Sequence, residues 1–267
     1  MALPVSAGAV RKLLKEIAAS GAGEHTLAVG GADGLAPLLR QQFLRGRAKP
    51  EAVRFGDPEG ADVYVHVLSG EVAGGDVAVL RRARLNRVPV VVVAVGFAQV
   101  ATIPYVLATD VVWADAGHDF PLGAIARAIA VRVGEHGAPL AARVPLLRGP
   151  VGEQLVSSFA RKNGVVAAAG ADLPVLALNE LRLVLRLAQA HGAAGDVRDR
   201  LPELAATLGA ALGLRALARK MLVAAPARWA VKTGVAYAGT RAVGEAARLR
   251  FGYAPRQGPA AVARAAP

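Results

Sequence analysis

The sequence predicts an α/β protein in which a parallel-sheet domain is followed by an all-α helical domain. Three observations carry that expectation. Short runs rich in Val recur through the first half, with helix-forming segments and glycine-containing turns between them. Beyond Pro150 the strand signals stop and long helical patterns take over. Apolar residues make up 54% of the 267 and aromatics only 4%, so the core must be built from Ala, Val and Leu, which suits buried parallel strands and closely packed helices. The length fits one large or two modest domains, and the change in pattern favours two.

In chain order, Val10, Leu13, Leu14 and Ile17 recur at helical spacing behind Arg11, Lys12, Lys15 and Glu16, which predicts an amphipathic helix closed by Gly21. Strands are expected at residues 26–30, 52–56, 62–68, 88–95 and 110–114. The stretch GDVAVLRRARLNR between the third and fourth reads as the helix of a βαβ unit. Residues 88–109 are 22 consecutive uncharged positions, long enough for a membrane span. Pro89, Gln99 and Pro104 interrupt that run; a β-branched run ending in a turn at Gly96 reads instead as a central buried strand. Pro121 to His136 reads as the closing helix of the sheet domain, and residues 134–152, rich in Pro and Gly, as a link. Helices follow at 151–162, 173–191, 201–225 and 227–250, with breaks at Asn163–Gly164, Gly192 and Pro226. The predicted organisation is thus an N-terminal helix over 1–22, the α/β domain over 23–148, the helical domain over 149–253 and a disordered tail over 254–267.

Several chemistries are disfavoured. The chain has no cysteine, which removes disulfides, thiolate metal sites and cysteine nucleophiles together. Its five histidines are scattered without ligand spacing, so no metal is expected; His66, inside a strand, reads as a packing residue. Ser157–Ser158 lies outside any nucleophile elbow. The N-terminus lacks a long apolar core, so no secretory signal is expected. The formal charge is +12, and residues 151–267 hold 16 basic against 7 acidic groups. Arg215, Arg219, Lys220, Arg228 and Lys232 fall within 18 residues, a basic cluster suited to an anionic membrane surface or an acidic partner.

The stretch TLAVGGADGLAPLLRQQFLRG, residues 26–46, is a strand, a glycine turn and a helix, the arrangement that cradles phosphate in P-loop proteins. The sheet domain therefore reads as P-loop-like, with Gly30, Gly31 and Gly34 as a relic of a nucleotide-binding turn. A working P-loop needs a lysine and a hydroxyl directly after its last glycine. Here Leu35, Ala36 and Pro37 follow Gly34, and Asp33 brings a negative charge to where phosphate would lie. The spacing also fails the dinucleotide pattern. No Asn-Lys-x-Asp element follows the fourth strand, where Gly96-Phe97-Ala98-Gln99 stands. Asp57-Pro58-Glu59-Gly60 matches a switch element in letters alone.

Three segments of the second half, 170–192, 199–221 and 229–251, together resemble the bacterial domain-of-unknown-function family 697. The likeness is carried by Asn179 and Arg182 in the first and by Gly239, Thr240, Arg241 and Gly244 in the last. That family is commonly joined to YcjX-like or Era-like GTPase domains, and the resemblance implies membrane association and a first half that is a degenerate GTPase-like domain. Read from the residues, Asn179, Arg182, Arg186 and Gln189 form one polar stripe on an otherwise apolar helix. Gly209 with Gly213, and Gly234, Gly239 and Gly244, leave room for close helix approach.

The expected function is a non-catalytic, membrane-associated scaffold or partner-binding protein at the cytoplasmic, inner face of the cell membrane. Its expected partners are an anionic membrane surface, a GTPase relative or other protein, and a second copy of the chain. No cofactor is expected apart from residual GTP binding through the turn amides. The alternative is a divergent GTP- or ATP-binding NTPase; nucleic-acid binding through the arginines ranks below both, since aromatics are too sparse for a base-stacking platform.

Overall fold

The computed structural model describes residues 6–97, 102–170, 173–192, 209 and 228–253. The protein is α/β, with a five-stranded, all-parallel sheet and eight α-helices among the described residues. Helix α1 (Ala7–Gly21) precedes β1 (Leu27–Gly31), α2 (Leu35–Arg45), β2 (Val53–Phe55), β3 (Val63–Ser69), α3 (Gly74–Leu85), β4 (Val90–Val95), β5 (Val111–Ala114) and α4 (Leu122–Val133). Then come α5 (Ala138–Arg143), α6 (Arg148–Ala168), α7 (Leu173–Ala190) and α8 (Arg228–Tyr253).

The strands lie in the order β2-β1-β3-β4-β5, a doubly wound order whose direction of winding reverses between β1 and β3. Central strands β3 and β4 read VYVHVLS and VVVVAV because both their faces are covered. Val63, Val65 and Val67 share one face with α2 and α4, while Tyr64 and Leu68 face α3. Register aligns Gly30 with His66 and Gly31 with Val67, so the glycine turn sits directly beside β3.

The face bearing α2 and α4 carries the main core. One continuous cluster of buried apolar residues runs from Val65 and Val93 through Ile125 and Ile129 of α4 to Leu155 of α6, Leu183 of α7 and Val243 of α8. The segment whose composition reads as a link is part of this core: it forms α5 and a short 3₁₀ turn, with Pro139, Leu140, Val144 and Leu147 buried. Proline at the start of each short helix costs no hydrogen bond there, so it serves to start a turn rather than to break one.

The expected break at Asn163–Gly164 is likewise absent, and α6 runs straight through it. Asn163 is fully buried and spends its amide on other helices: its Nδ2 donates to Thr240 Oγ1 at 2.8 Å, and its Oδ1 accepts from Asn179 Nδ2 at 2.8 Å. Gly164 faces Thr233 and Tyr237 of α8 without collision. Gly244 on α8 meets α6 and α7 more closely, since an added Cβ would lie 2.6 Å from Val156 Cγ2. Gly234 has open space around it. The expected helix at 201–225, with Gly213 and the break at Pro226, and the tail at 254–267 fall outside the described residues; Gly209 is helical and exposed.

Helix α1 docks on α7 through the polar stripe. Arg182 donates to Glu16 at 2.9 Å, Arg186 to Ser20 Oγ at 2.9 Å, and Gln189 Nε2 to the Ile17 carbonyl at 3.2 Å. Leu13 and Ile17 are buried beneath these contacts. Among the described residues no helix is long and apolar enough to cross a membrane.

These contacts separate two glycines on one helix. Gly244→Ala is expected to cost about 1–3 kcal/mol through overpacking against Val156, whereas Gly234→Ala should raise stability by about 0.5–1 kcal/mol through helix propensity alone. Urea unfolding midpoints of the two variants decide this, and equal losses would show that α8 does not approach α6 at Gly244.

Candidate functional site

In a doubly wound sheet, ligands meet the carboxyl ends of the strands near the point where the winding reverses. Here that point is the turn from Gly30 to Gly34. A Cβ on Gly30 would lie 2.5 Å from the Tyr64 hydroxyl and 2.7 Å from the Gly56 carbonyl oxygen. Gly31 has φ +107°, and a Cβ there would lie 2.1 Å from the Val67 carbonyl oxygen. These two glycines are therefore fixed by the approach of β3. Gly34, with φ +83° and open space around it, is fixed by backbone conformation alone.

Two of the amides around the turn are committed to backbone partners. The Ala32 N–H donates to the Val67 carbonyl at 2.8 Å and the Ala36 N–H to the Ala32 carbonyl at 3.1 Å. Pro37 has no N–H to offer. Gly34, at the N-cap, supplies no side-chain bond. The Asp33 carboxylate, exposed beside the helix start, adds repulsion toward any anion.

Beside the turn, a cleft of about 380 Å³ opens between α2 and the loop after β5. Leu35, Val95 and Phe120 form its apolar lining, Asp115, His118 and Asp119 one polar wall, and Gln42 and Arg45 the other. The Gln42 side-chain oxygen is buried with no hydrogen-bond partner among the described residues. Volume and mixed lining fit a small polar ligand carrying both donors and acceptors. Among the described residues no three His, Asp or Glu side chains gather as a metal site.

Below the turn, on the α3 face, lies an array that sequence reading took for packing. Tyr64 Oη and His66 Nδ1 are 2.9 Å apart, and His66 Nε2 and Asp76 Oδ1 2.8 Å. Asp76 is in the first turn of α3, where its other oxygen accepts from the Ala73 N–H at 2.9 Å. An ionised carboxylate only accepts, so His66 Nε2 carries the proton, Nδ1 accepts, and Tyr64 donates. Burial holds the His66 pKa below its ordinary value despite the opposing hydrogen bond and charge of Asp76. Burial, then Asp57 and Asp76, raises the Tyr64 phenol well above its own. The array is neutral on its imidazole and closed to solvent at its Tyr64 end, where the ring is 2% exposed. It pins β3 to α3 and sets the floor on which Gly30 rests.

The residues of the helical motif divide by role. Asn179 and Thr240 meet at Asn163, and Thr240 Oγ1 also donates to buried Glu180 at 3.0 Å. Gly244 sits at the tight helix contact, Gly239 is half-buried, Arg182 reaches α1, and exposed Arg241 donates to Tyr237 Oη at 3.2 Å. Of the basic cluster, Arg215, Arg219 and Lys220 lie outside the described residues; Arg228 and Lys232 are in the first turns of α8, with Lys232 exposed. In the sequence Asn163 reads only as part of a helix break, and Glu180 carries no local signal of its own. No family model, curated protein or solved structure matches the chain.

Two expectations follow. Gly31→Ala should cost about 3 kcal/mol or more, combining an unfavourable φ with backbone collision, and Gly34→Ala about 1 kcal/mol; Asp33→Ala should be close to neutral, all read by urea unfolding. The second concerns acid. The pKa of His66 and of His191 is lowered on folding, mainly by burial, so each binds its proton more readily when unfolded. Stability is therefore full above the ordinary histidine pKa of 6.5 and falls as pH drops below it toward the folded values. Unfolding midpoints between about pH 8 and pH 5 should show this slope, reduced in His66→Gln; an unchanged slope would mean that His66 is not buried neutral.

Proposed function

We propose that this chain is a non-catalytic, partner-binding scaffold whose α/β half is a degenerate, P-loop-like GTPase domain and whose helical half is a family-697-like module. The observation that supports it best is the glycine turn at the switch point of the sheet, where the Val67 and Ala32 carbonyls take the Ala32 and Ala36 N–H groups and Pro37 has none to offer. Without the lysine and hydroxyl as well, little remains to bind the charge of a triphosphate. The sheet order is that of the flavodoxin type of doubly wound fold, so the P-loop-like part of this reading rests on the turn. Attachment to the inner face of the cell membrane rests on the basic residues Arg215, Arg219, Lys220, Arg228 and Lys232. An active GTPase relative or a second copy of the chain are the partners this reading favours.

The cleft of about 380 Å³ beside the same turn favours a second reading, a divergent nucleotide-binding NTPase that uses substituted side chains. Titration calorimetry with GTP and with ATP in magnesium buffer separates the two. The scaffold reading expects no binding tighter than about millimolar; a micromolar site would establish the second reading instead.

Membrane attachment has its own measurement. Each basic group near an anionic bilayer contributes about 1 kcal/mol, so neutralising Arg219, Lys220 and Arg228 together should reduce partitioning by on the order of a hundredfold. Co-sedimentation with anionic and neutral liposomes at two salt concentrations reads this directly. Wild-type protein that binds neither kind of vesicle would leave the basic cluster as a protein interface and remove the membrane from the proposal.

A further inference from the structure

At the opposite, amino-terminal edge of the sheet, a groove of about 460 Å³ runs between the end of α3 and the end of α4. Val88, Pro89, Val90, Val106 and Leu107 line it with apolar surface, and Arg84, Arg87 and Tyr105 bring polar groups to it. A third arginine, Arg132, is held in a two-pronged pair with the buried Asp110 carboxylate, which neutralises it. Among the described residues no carboxylate pairs with Arg84 or Arg87, and both are exposed. The groove thus presents two uncommitted guanidinium groups beside an apolar wall.

The backbone around this groove is left-handed at two non-glycine residues, one of them at a helix ending that α2 shares at Arg47. Helix α3 closes with Val88 N–H donating to the Ala83 carbonyl and Arg87 N–H to the Arg84 carbonyl, a Schellman-type ending whose next residue takes a left-handed conformation. That residue is Arg87, with φ +56°, where glycine is the favoured choice. Across the groove, Ile103-Pro104-Tyr105-Val106 makes a turn closed by Val106 N–H donating to the Ile103 carbonyl at 3.4 Å. Pro104 takes its second position and Tyr105, with φ +66°, its third, the slot that usually goes to Gly or Asn. The described chain has three non-glycine residues with positive φ, and two of them line this one groove. Favourable charge at a helix C-terminus and the ending shared with α2 account for basic residues near Leu85 and for a left-handed residue at 87; they do not account for a left-handed Tyr105 opposite it. Strain kept in two separate segments that share a cavity points to a binding role for their side chains.

We propose that this groove binds a small organic anion, a carboxylate or phosphate monoester on a flat or aliphatic body. Arg84 and Arg87 hold the charged end through their planar forks, while Tyr105, Val106 and Leu107 cover the apolar body. The volume suits a ligand of small-molecule size. Asp110 keeps Arg132 in place at the rim. The site is separate from the glycine turn and its cleft, so it stands or falls independently of the scaffold reading.

The test is ligand-observed NMR on the full chain with phenyl phosphate, benzoate, inorganic phosphate and the cationic isostere benzylamine. Phenyl phosphate and benzoate should bind with dissociation constants of about a millimolar, as expected for ligands of that size, inorganic phosphate clearly more weakly, and benzylamine not at all. The double variant Arg84→Gln/Arg87→Gln should weaken both organic anions by about tenfold or more; Arg81→Gln, exposed on the same helix but outside the groove, should leave them unchanged. Arg87→Gly adds a readout that a mere helix cap would not give, raising the melting temperature by about 2–4 °C through relief of the left-handed residue while weakening the anions. Unchanged affinity in the double variant, equal binding of benzylamine, or no binding of either organic anion at about 10 mM would overturn the proposal. Inorganic phosphate bound as tightly as phenyl phosphate would overturn the ligand class, because the apolar wall would then contribute nothing.

Discussion

A parallel sheet built from valine-rich strands must be hidden from water on both faces, and here the two faces are covered unequally. Among the described helices α3 alone packs on the face of Tyr64 and Leu68, joined there by Ile103 and Val106 of the loop after β4, while α2, α4 and, behind them, α6, α7 and α8 cover the other. Helices α6, α7 and α8 are therefore continuous with the main core of the sheet. On the thin side, the stack of one helix on one sheet leaves room for a buried polar array, and Tyr64, His66 and Asp76 fill it with their hydrogen bonds satisfied. That array holds β3 in place, β3 presses on Gly30 and Gly31, and the glycine turn takes its form from below.

Polar groups inside the thick side follow a different logic. Asn163, Asn179, Thr240 and Glu180 join α6, α7 and α8 at one level of the bundle, and Arg186, nearly buried, joins α7 to α1. Burial pulls the Arg186 pKa down, and the neighbouring Glu16 carboxylate opposes that pull. Such groups add little net stability compared with apolar residues of the same volume. What they do supply is register. An Ala- and Leu-rich helix can slide against its neighbours at small energetic cost, and a satisfied amide or guanidinium cannot.

Legibility in the sequence followed the range of the contacts. All five strands and the α1, α2, α3, α4, α7 and α8 helices announced themselves, because β-branched runs and helical periodicity are local signals. Pro and Gly between 134 and 152 misled, since they were read as a link when the prolines begin short helices that are buried. Asn163–Gly164 misled for a similar reason: the partners of Asn163 lie 16 and 77 residues away, and no local pattern reveals them. The absence of lysine and hydroxyl after Gly34 was plain, but that Val67 takes the Ala32 amide depends on a strand pairing visible only in the fold. His66 read as packing because its partner Asp76 belongs to the next helix. The arginine groove gave no signal at all, being assembled from the end of α3, the turn at Tyr105 and the end of α4.

The docking of α1 on α7 also sets an order of events during synthesis. Residues 166 apart in the chain form this contact, Glu16 with Arg182 and Ser20 with Arg186. At a translation rate of about 5–20 residues per second, the first helix leaves the ribosome roughly ten to thirty seconds before its binding site exists. For that interval Leu13 and Ile17 have no α7 to cover them, while the sheet, whose strands end at Ala114, already has the sequence it needs to assemble. The nascent chain therefore carries an uncovered amphipathic helix ahead of the sheet, available to a chaperone or a lipid surface until α7 emerges and claims it.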